Sequence, residues 1–200
     1  LMDDAHGLGT LGEHGQGTAA HFGLQGAQRL CVVATFGKAA GCAGAAIIAP
    51  QPVVEWLTQS ARPHFYTTAS SPAMAHALQT SIALMQGGEG AMRREQLQLL
   101  ISVFRAGMQA SLTRLGLPWQ LMPSESAIQP LVVGENATAL ALAAALDEAG
   151  FRVSAIRPPT VAAGTARLRF TLNAAHSQDN ITALLAAFAQ AAQTISKVLT

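Results

Sequence analysis

Leu30-Cys31-Val32-Val33-Ala34-Thr35-Phe36-Gly37-Lys38-Ala39-Ala40-Gly41 is the stretch that decides the fold. It opens with an apolar, β-branched run, the pattern of a short buried strand, and Thr35 marks the end of that strand. A lysine just past a strand's carboxyl end lies where open α/β sheets bind ligands. Gly37 and Gly41 let the backbone approach such a ligand closely. A loop lysine standing alone is ordinarily a solvated surface residue. Lys38 does not stand alone.

Upstream lies Asp3-Asp4-Ala5-His6. A strand-end lysine paired with an acid reads as a pyridoxal-phosphate site. In such a site the lysine forms a Schiff base with the cofactor aldehyde, an aspartate holds the proton on the pyridine nitrogen, and the protein orients that electron sink. Partly desolvated beside a cationic ring, the Lys38 amine becomes a usable nucleophile.

Composition sets the outer bounds. The chain's 200 residues, 50% of them hydrophobic, can bury a real core, and 12% charged residues is low for an independent surface, so large interfaces are expected. A net charge of +1 without a Lys/Arg cluster gives no reason to expect nucleic acid. The expected partners are small molecules and another subunit. Cys31 and Cys42 fit a reduced compartment; they have no metal-ligand spacing, and neither a disulfide nor a metal is expected. No apolar run reaches the roughly 18 residues of a membrane span. The amino terminus lacks a signal-peptide pattern, so the cytoplasm is the default location. Leu1 to Asp4 reads as the end of a strand whose beginning is missing, so the chain is expected to start inside a fold. Glycines 7, 9, 12, 15 and 17 resemble a loose phosphate loop. They miss the phosphate-loop and dinucleotide fingerprints and are read as loop.

Further along, Ala45 to Ala49 suggests a strand, Pro52 to Arg62 a helix with proline in its first turn, and Ser71 to Met85 another helix. The hydroxyl-rich run from Thr67 to Ser71 could serve a phosphate or cap the next helix; local chemistry favours capping. Glu89 to Leu115 carries Leu97, Leu100, Ile101, Phe104 and Met108 on one stripe at core spacing. Beyond Leu117-Pro118, strands at Ala127–Val133, Arg152–Ile156 and Ala166–Leu172 alternate with helices at Ala137–Ala149 and Ser177–Leu199, a small α+β domain. Alternation in Arg167-Leu168-Arg169-Phe170 puts both arginines on one face. That face is either solvated or turned toward an anion, and a carboxylate would suit arginine's planar fork.

Four segments carry a family resemblance: Asp3-Asp4-Ala5-His6-Gly7, Thr35-Phe36-Gly37-Lys38, Ser126-Ala127-Ile128-Gln129-Pro130, and Ala155 through Val161 with Gly164 through Arg169. They resemble the α-oxoamine synthases of the fold-type I pyridoxal-phosphate class, and among these the 8-amino-7-oxononanoate synthases. The resemblance covers nearly the whole chain and implies an α/β fold. Residues 1–91 would be the carboxyl-terminal part of the large cofactor-binding domain and residues 92–200 the small α+β carboxyl-terminal domain.

By this resemblance Lys38 matches the cofactor lysine, Asp3 the partner of the pyridine nitrogen, and His6 the residue bonded to the phenolic oxygen. Thr35 matches a residue at the cofactor phosphate, and Thr67 and Thr68 a hydroxyl pair that reaches the neighbouring subunit's phosphate in a homodimer. Arg169 matches the arginine that grips the amino-acid carboxylate, with Arg157 and Thr160 in the same substrate region. Ala162 stands where proline is usual and Ala69 where serine is common; neither change removes a catalytic group. Such enzymes are much longer, so this chain is expected to be the carboxyl-terminal half and to hold half a site.

The activity implied is condensation of L-alanine with a pimeloyl thioester, on coenzyme A or acyl carrier protein, in biotin synthesis. A sibling using another amino acid and acyl-CoA, or a non-catalytic fragment keeping fold and dimer contacts, are the alternatives.

Overall fold

The computed structural model describes residues 1–199, with side chains described through Ile195. The chain divides into two compact units, Leu1–Arg94 and Glu95–Thr200.

The first unit is built on a three-stranded sheet. Strands β1 (Met2–Asp3) and β2 (Val32–Thr35) run parallel, and β3 (Ala45–Ile48) is antiparallel to β2 on its other side. The register pairs Asp3 with Val33 and Thr35 with Ala45. Because side chains alternate across a strand, Asp3, Val33 and Thr35 share one face of the sheet and Met2, Val32 and Ala34 the other. The glycine-rich stretch between β1 and β2 folds as successive turns ending in the short helix α1 (Thr18–His21), which sequence patterning does not reveal. Gly9, Gly12, Gly15 and Gly17 all take positive φ, the conformation only glycine adopts without steric cost.

Helices α2 (Gln51–Ser60) and α3 (Pro72–Gln86) follow. Each has proline in its first turn, where the missing N–H is no loss. The capping favoured from sequence is not made, because no side chain caps α3 at Ser71. Thr67 instead turns its hydroxyl back onto the His64 carbonyl at 2.7 Å. Neither α2 nor α3 buries a residue, and Trp56, Ile48 and Leu84 are exposed. Such apolar exposure fits the interfaces that the low charge content implies.

Helix α4 (Gly88–Leu115) contains the boundary between the units. The second unit holds the antiparallel sheet β4-β5-β7-β6, formed by β4 (Gln120–Leu121), β5 (Ile128–Gly134), β6 (Ser154–Ile156) and β7 (Ala166–Thr171). Helices α5 (Asn136–Glu148) and α6 (Gln178–Leu199) complete it. The predicted stripe Leu97, Leu100, Ile101, Phe104 and Met108 is buried, together with Leu131, Val133, Leu168 and Phe170 from one sheet face and Leu142, Ile181 and Phe188 from the other helices. Phe170 lies 5.1 Å from Phe104 and 6.3 Å from Phe188, ring centre to ring centre. Ser111, Gln129 and Thr138 are polar residues buried in this unit. Gln129, fully buried, accepts from Arg105 at 2.7 Å and donates to the Ser126 carbonyl at 2.7 Å, so its amide is satisfied. Cys31 and Cys42 are free thiols; Cys31 is half-buried just before β2 rather than inside it.

Candidate functional site

The parallel pairing of β1 and β2 puts the carboxyl ends of both strands at one edge of the first unit. Asp3 closes β1 and Thr35 closes β2, on the same face, and the turn after Thr35 brings Lys38 back so that its Nζ donates to Thr35 Oγ1 at 3.2 Å. An amine and a hydroxyl are therefore bonded at the end of β2, on the sheet face that Asp3 shares. The turn is closed by backbone bonds from Gly41 N–H to the Lys38 carbonyl and from Cys42 N–H to the Phe36 carbonyl. A Cβ added at Gly37 or Gly41 would meet open space, and Gly41 has φ +61°. Gly41 is there for its conformation, therefore, and Gly37 leaves the face beside Lys38 open.

Asp3 is exposed, and one of its oxygens accepts the Ala5 N–H at 2.9 Å. Asp4 behaves oppositely. It is 3% exposed, on the other side of the strand, and both its oxygens accept the Thr18 N–H at 3.1 Å while Thr18 Oγ1 donates to Oδ1. Of the two adjacent acids, only Asp3 offers its carboxylate to a ligand. His6 is exposed two residues beyond Asp4, its carbonyl accepting the Thr10 hydroxyl at 2.7 Å. Lys38 is also exposed, so the desolvation expected for its amine is not supplied by the described residues. Thr67 and Thr68 are exposed, and no hydrogen bond joins them to this group among the described residues.

An apolar concavity of this unit lies elsewhere. A cavity of about 510 Å³ is lined by Val32, Ala34, Ile48, Leu8, Leu24 and Asp4, and so lies on the reverse face of the sheet. It holds no nucleophile or free cation.

In the second unit, Arg167 and Arg169 stand on the sheet face opposite the core, as alternation predicts. They are not equivalent. Arg167 is half-buried and donates to the Thr165 carbonyl at 3.1 Å, to Thr165 Oγ1 at 3.2 Å and to Met122 Sδ at 3.3 Å. It fixes the turn in which Thr165 Oγ1 donates to the Ala162 carbonyl. Arg169 is exposed and, among the described residues, donates no hydrogen bond. Arg157 and Thr160 are exposed and joined by the Thr160 N–H to Arg157 carbonyl bond at 3.0 Å.

Sequence reasoning did not foresee the hydrogen bonds that hold Asp4, Arg94 and Arg167. Arg94 donates to the Met85 carbonyl at 2.7 Å and the Glu13 carbonyl at 2.9 Å, tying α3's last turn to the glycine-rich loop.

The chain belongs to the aminotransferase class I and II family, whose model matches residues 1–188. Among named relatives, the chain is 54% identical over 199 residues to the 8-amino-7-oxononanoate synthase of Leptothrix cholodnii and 53% identical over 197 residues to that of Polaromonas naphthalenivorans. Each match covers 98% of this chain and 48% of the relative, so the chain spans about half the length of the curated relatives it matches. Among solved structures it resembles the 8-amino-7-oxononanoate synthase of Francisella tularensis, with TM-score 0.82 and 28% identity over 98% of this chain and 56% of that one. It also resembles a serine palmitoyltransferase of Sphingomonas wittichii, with TM-score 0.79 and 31% identity over 96% of this chain and 47% of that one. A further serine palmitoyltransferase structure, at TM-score 0.81 and 28% identity, contains PLP. No described helix is long and apolar enough to cross a membrane.

Proposed function

We propose that this chain carries the lysine-bearing part of an 8-amino-7-oxononanoate synthase. The reaction joins L-alanine to a pimeloyl thioester, on coenzyme A or acyl carrier protein, giving 8-amino-7-oxononanoate, carbon dioxide and the free thiol carrier in biotin biosynthesis. The observation that carries the reading is the placement of the Lys38 amine, Thr35 hydroxyl and Asp3 carboxylate on one strand-end face. The relatives at 50–54% identity that bear this enzyme name support it.

The donor set fits pyridoxal phosphate. Lys38 has the amine for the aldehyde, Asp3 an exposed carboxylate for a ring N–H, His6 a side chain for the phenolic oxygen, and Thr35 a hydroxyl for the phosphate. When bound, the cofactor supplies an electron sink for the amino acid's α-carbon. The remaining work belongs to protein groups. Lys38 Nζ removes the α-proton of alanine and returns a proton after carbon dioxide leaves. Asp3 keeps the ring nitrogen protonated by accepting its hydrogen bond. Arg169, free of protein partners among the described residues, binds the alanine carboxylate, with Arg157 and Thr160 serving the same substrate region. Thr67 and Thr68 serve the phosphate of the neighbouring subunit in a homodimer whose sites lie at the interface, and the enzyme acts in the cytoplasm.

The second reading is a sibling that condenses another amino acid, and the likeness to serine palmitoyltransferase favours it. Full-length protein purified with pyridoxal phosphate should show a lysine-linked cofactor absorbance and release thiol from pimeloyl-CoA with L-alanine. Thiol release with L-serine or glycine but not L-alanine would transfer the assignment to the sibling. Absence of cofactor absorbance would leave only a non-catalytic scaffold.

A further inference from the structure

The reaction as proposed makes no use of Asp4, yet Asp4 is the most deeply buried acid beside the site. At 3% exposure its carboxylate receives the Thr18 N–H on both oxygens and the Thr18 hydroxyl on Oδ1. A buried carboxylate is a poor source of net stability, because desolvation offsets much of what its hydrogen bonds return.

The loop is shaped around this group. A Cβ at Gly7 would overlap Asp4 Oδ1 and the Thr18 hydroxyl oxygen, and a Cβ at Gly17 would overlap Asp4 Oδ2. Gly17 also takes φ +94°. These ends of the glycine-rich stretch therefore clear the space the carboxylate fills, and the stretch that resembled a phosphate loop is a cradle for the protein's own anion. On the strand side, Asp4 N–H donates to the Val33 carbonyl at 2.8 Å, and the Asp4 carbonyl accepts the Gly7 N–H at 3.2 Å. The residue is thus fixed through its backbone to β2 and through its side chain to Thr18. Asp3 precedes it with the opposite side-chain direction. Clamping Asp4 on the reverse face sets the backbone that aims Asp3 from the front.

We infer that Asp4, clamped by Thr18 between Gly7 and Gly17, is a positioning residue that holds the Asp3 carboxylate in register with the cofactor's ring nitrogen. This rests on the pyridoxal-phosphate reading given above. Outer partners of metal-binding side chains set the scale, since losing one typically costs about 10–100-fold in affinity.

The experiment titrates full-length apoprotein with pyridoxal phosphate, following absorbance, for wild type, Asp4→Asn, Thr18→Val and Thr18→Ser, with a melting curve of each apoprotein. Thr18→Val removes the hydroxyl donor while keeping side-chain shape, and Thr18→Ser restores it. The expected result is a dissociation constant raised about 10-fold or more in Thr18→Val and close to wild type in Thr18→Ser. A second titration uses the cofactor analogue whose ring nitrogen is replaced by carbon, which gives Asp3 nothing to hold; wild type and Thr18→Val should bind it alike. If Asp4→Asn does not fold, the Thr18 pair decides. Unchanged cofactor affinity in Thr18→Val, even with a lowered melting temperature, overturns the inference, as does an equal loss of affinity for the carbon analogue. Wild-type protein that takes up no pyridoxal phosphate overturns the cofactor reading itself, and the inference with it.

Discussion

Replacing Arg169 with lysine separates substrate recognition from folding. Arg169 projects from β7 on the face away from Leu168 and Phe170, is exposed, and donates no hydrogen bond among the described residues. Nothing in the fold depends on its guanidinium, so the substitution should leave the melting temperature nearly unchanged. Lysine keeps the charge but loses the planar fork that grips a carboxylate through parallel N–H bonds. A hydrogen bond to a charged group contributes roughly 1.5–3 kcal/mol. At about 1.4 kcal/mol per decade, that is about 10–150-fold weaker alanine binding. The assay is a spectroscopic titration of the full-length holoenzyme with L-alanine, run beside melting curves of both proteins. Arg167 is the internal control. Its three hydrogen bonds hold Thr165 and Met122, so Arg167→Lys should lower the melting temperature as Arg169→Lys does not. Unaltered alanine affinity in Arg169→Lys would refute the assignment and shift it to Arg157. A collapse in its melting temperature would show that the side chain is structural.

Lys38→Ala should abolish the lysine-linked cofactor absorbance and essentially all turnover; borohydride reduction followed by peptide mapping to Lys197 would show the wrong lysine had been chosen. Asp3→Asn should cut turnover by about 10²–10⁴-fold, the scale of a general acid–base group, with little change in melting because Asp3 is exposed and asparagine can still accept the Ala5 N–H; an unchanged rate would remove Asp3 from the mechanism. Phe104→Ala removes a fully buried ring packed on Phe170 and should lower stability by about 3–5 kcal/mol in denaturant unfolding; a loss under about 1 kcal/mol, the effect of an ordinary substitution, would mean the α4 stripe is not the core.

Elements with a strong internal period were legible in the sequence. The α4 stripe, the alternation of β7 and the apolar run of β2 each announce a buried face, because side-chain direction follows backbone geometry locally. The position of Lys38 just past the end of β2 was legible for a related reason, because the apolar run and the Thr35-Phe36-Gly37-Lys38 turn are adjacent in sequence. The two-residue strand β4 and the four-residue helix α1 were not legible, since neither is long enough to show a period; they exist because β5 and the glycine-rich turns hold them.

The sequence alone determined the residue types at the strand ends and the family they resemble. The tertiary structure decided which of two like residues does what. Asp3 and Asp4 are chemically identical, as are Arg167 and Arg169, and no local pattern ranks either pair. Asp4 is committed because Thr18 reaches it from 14 positions away across turns that only the folded loop creates, and Arg167 because Thr165 and Met122 converge on it across the sheet. A side chain is available for chemistry only when folding leaves its hydrogen-bonding capacity unspent, and that depends on neighbours distant in sequence.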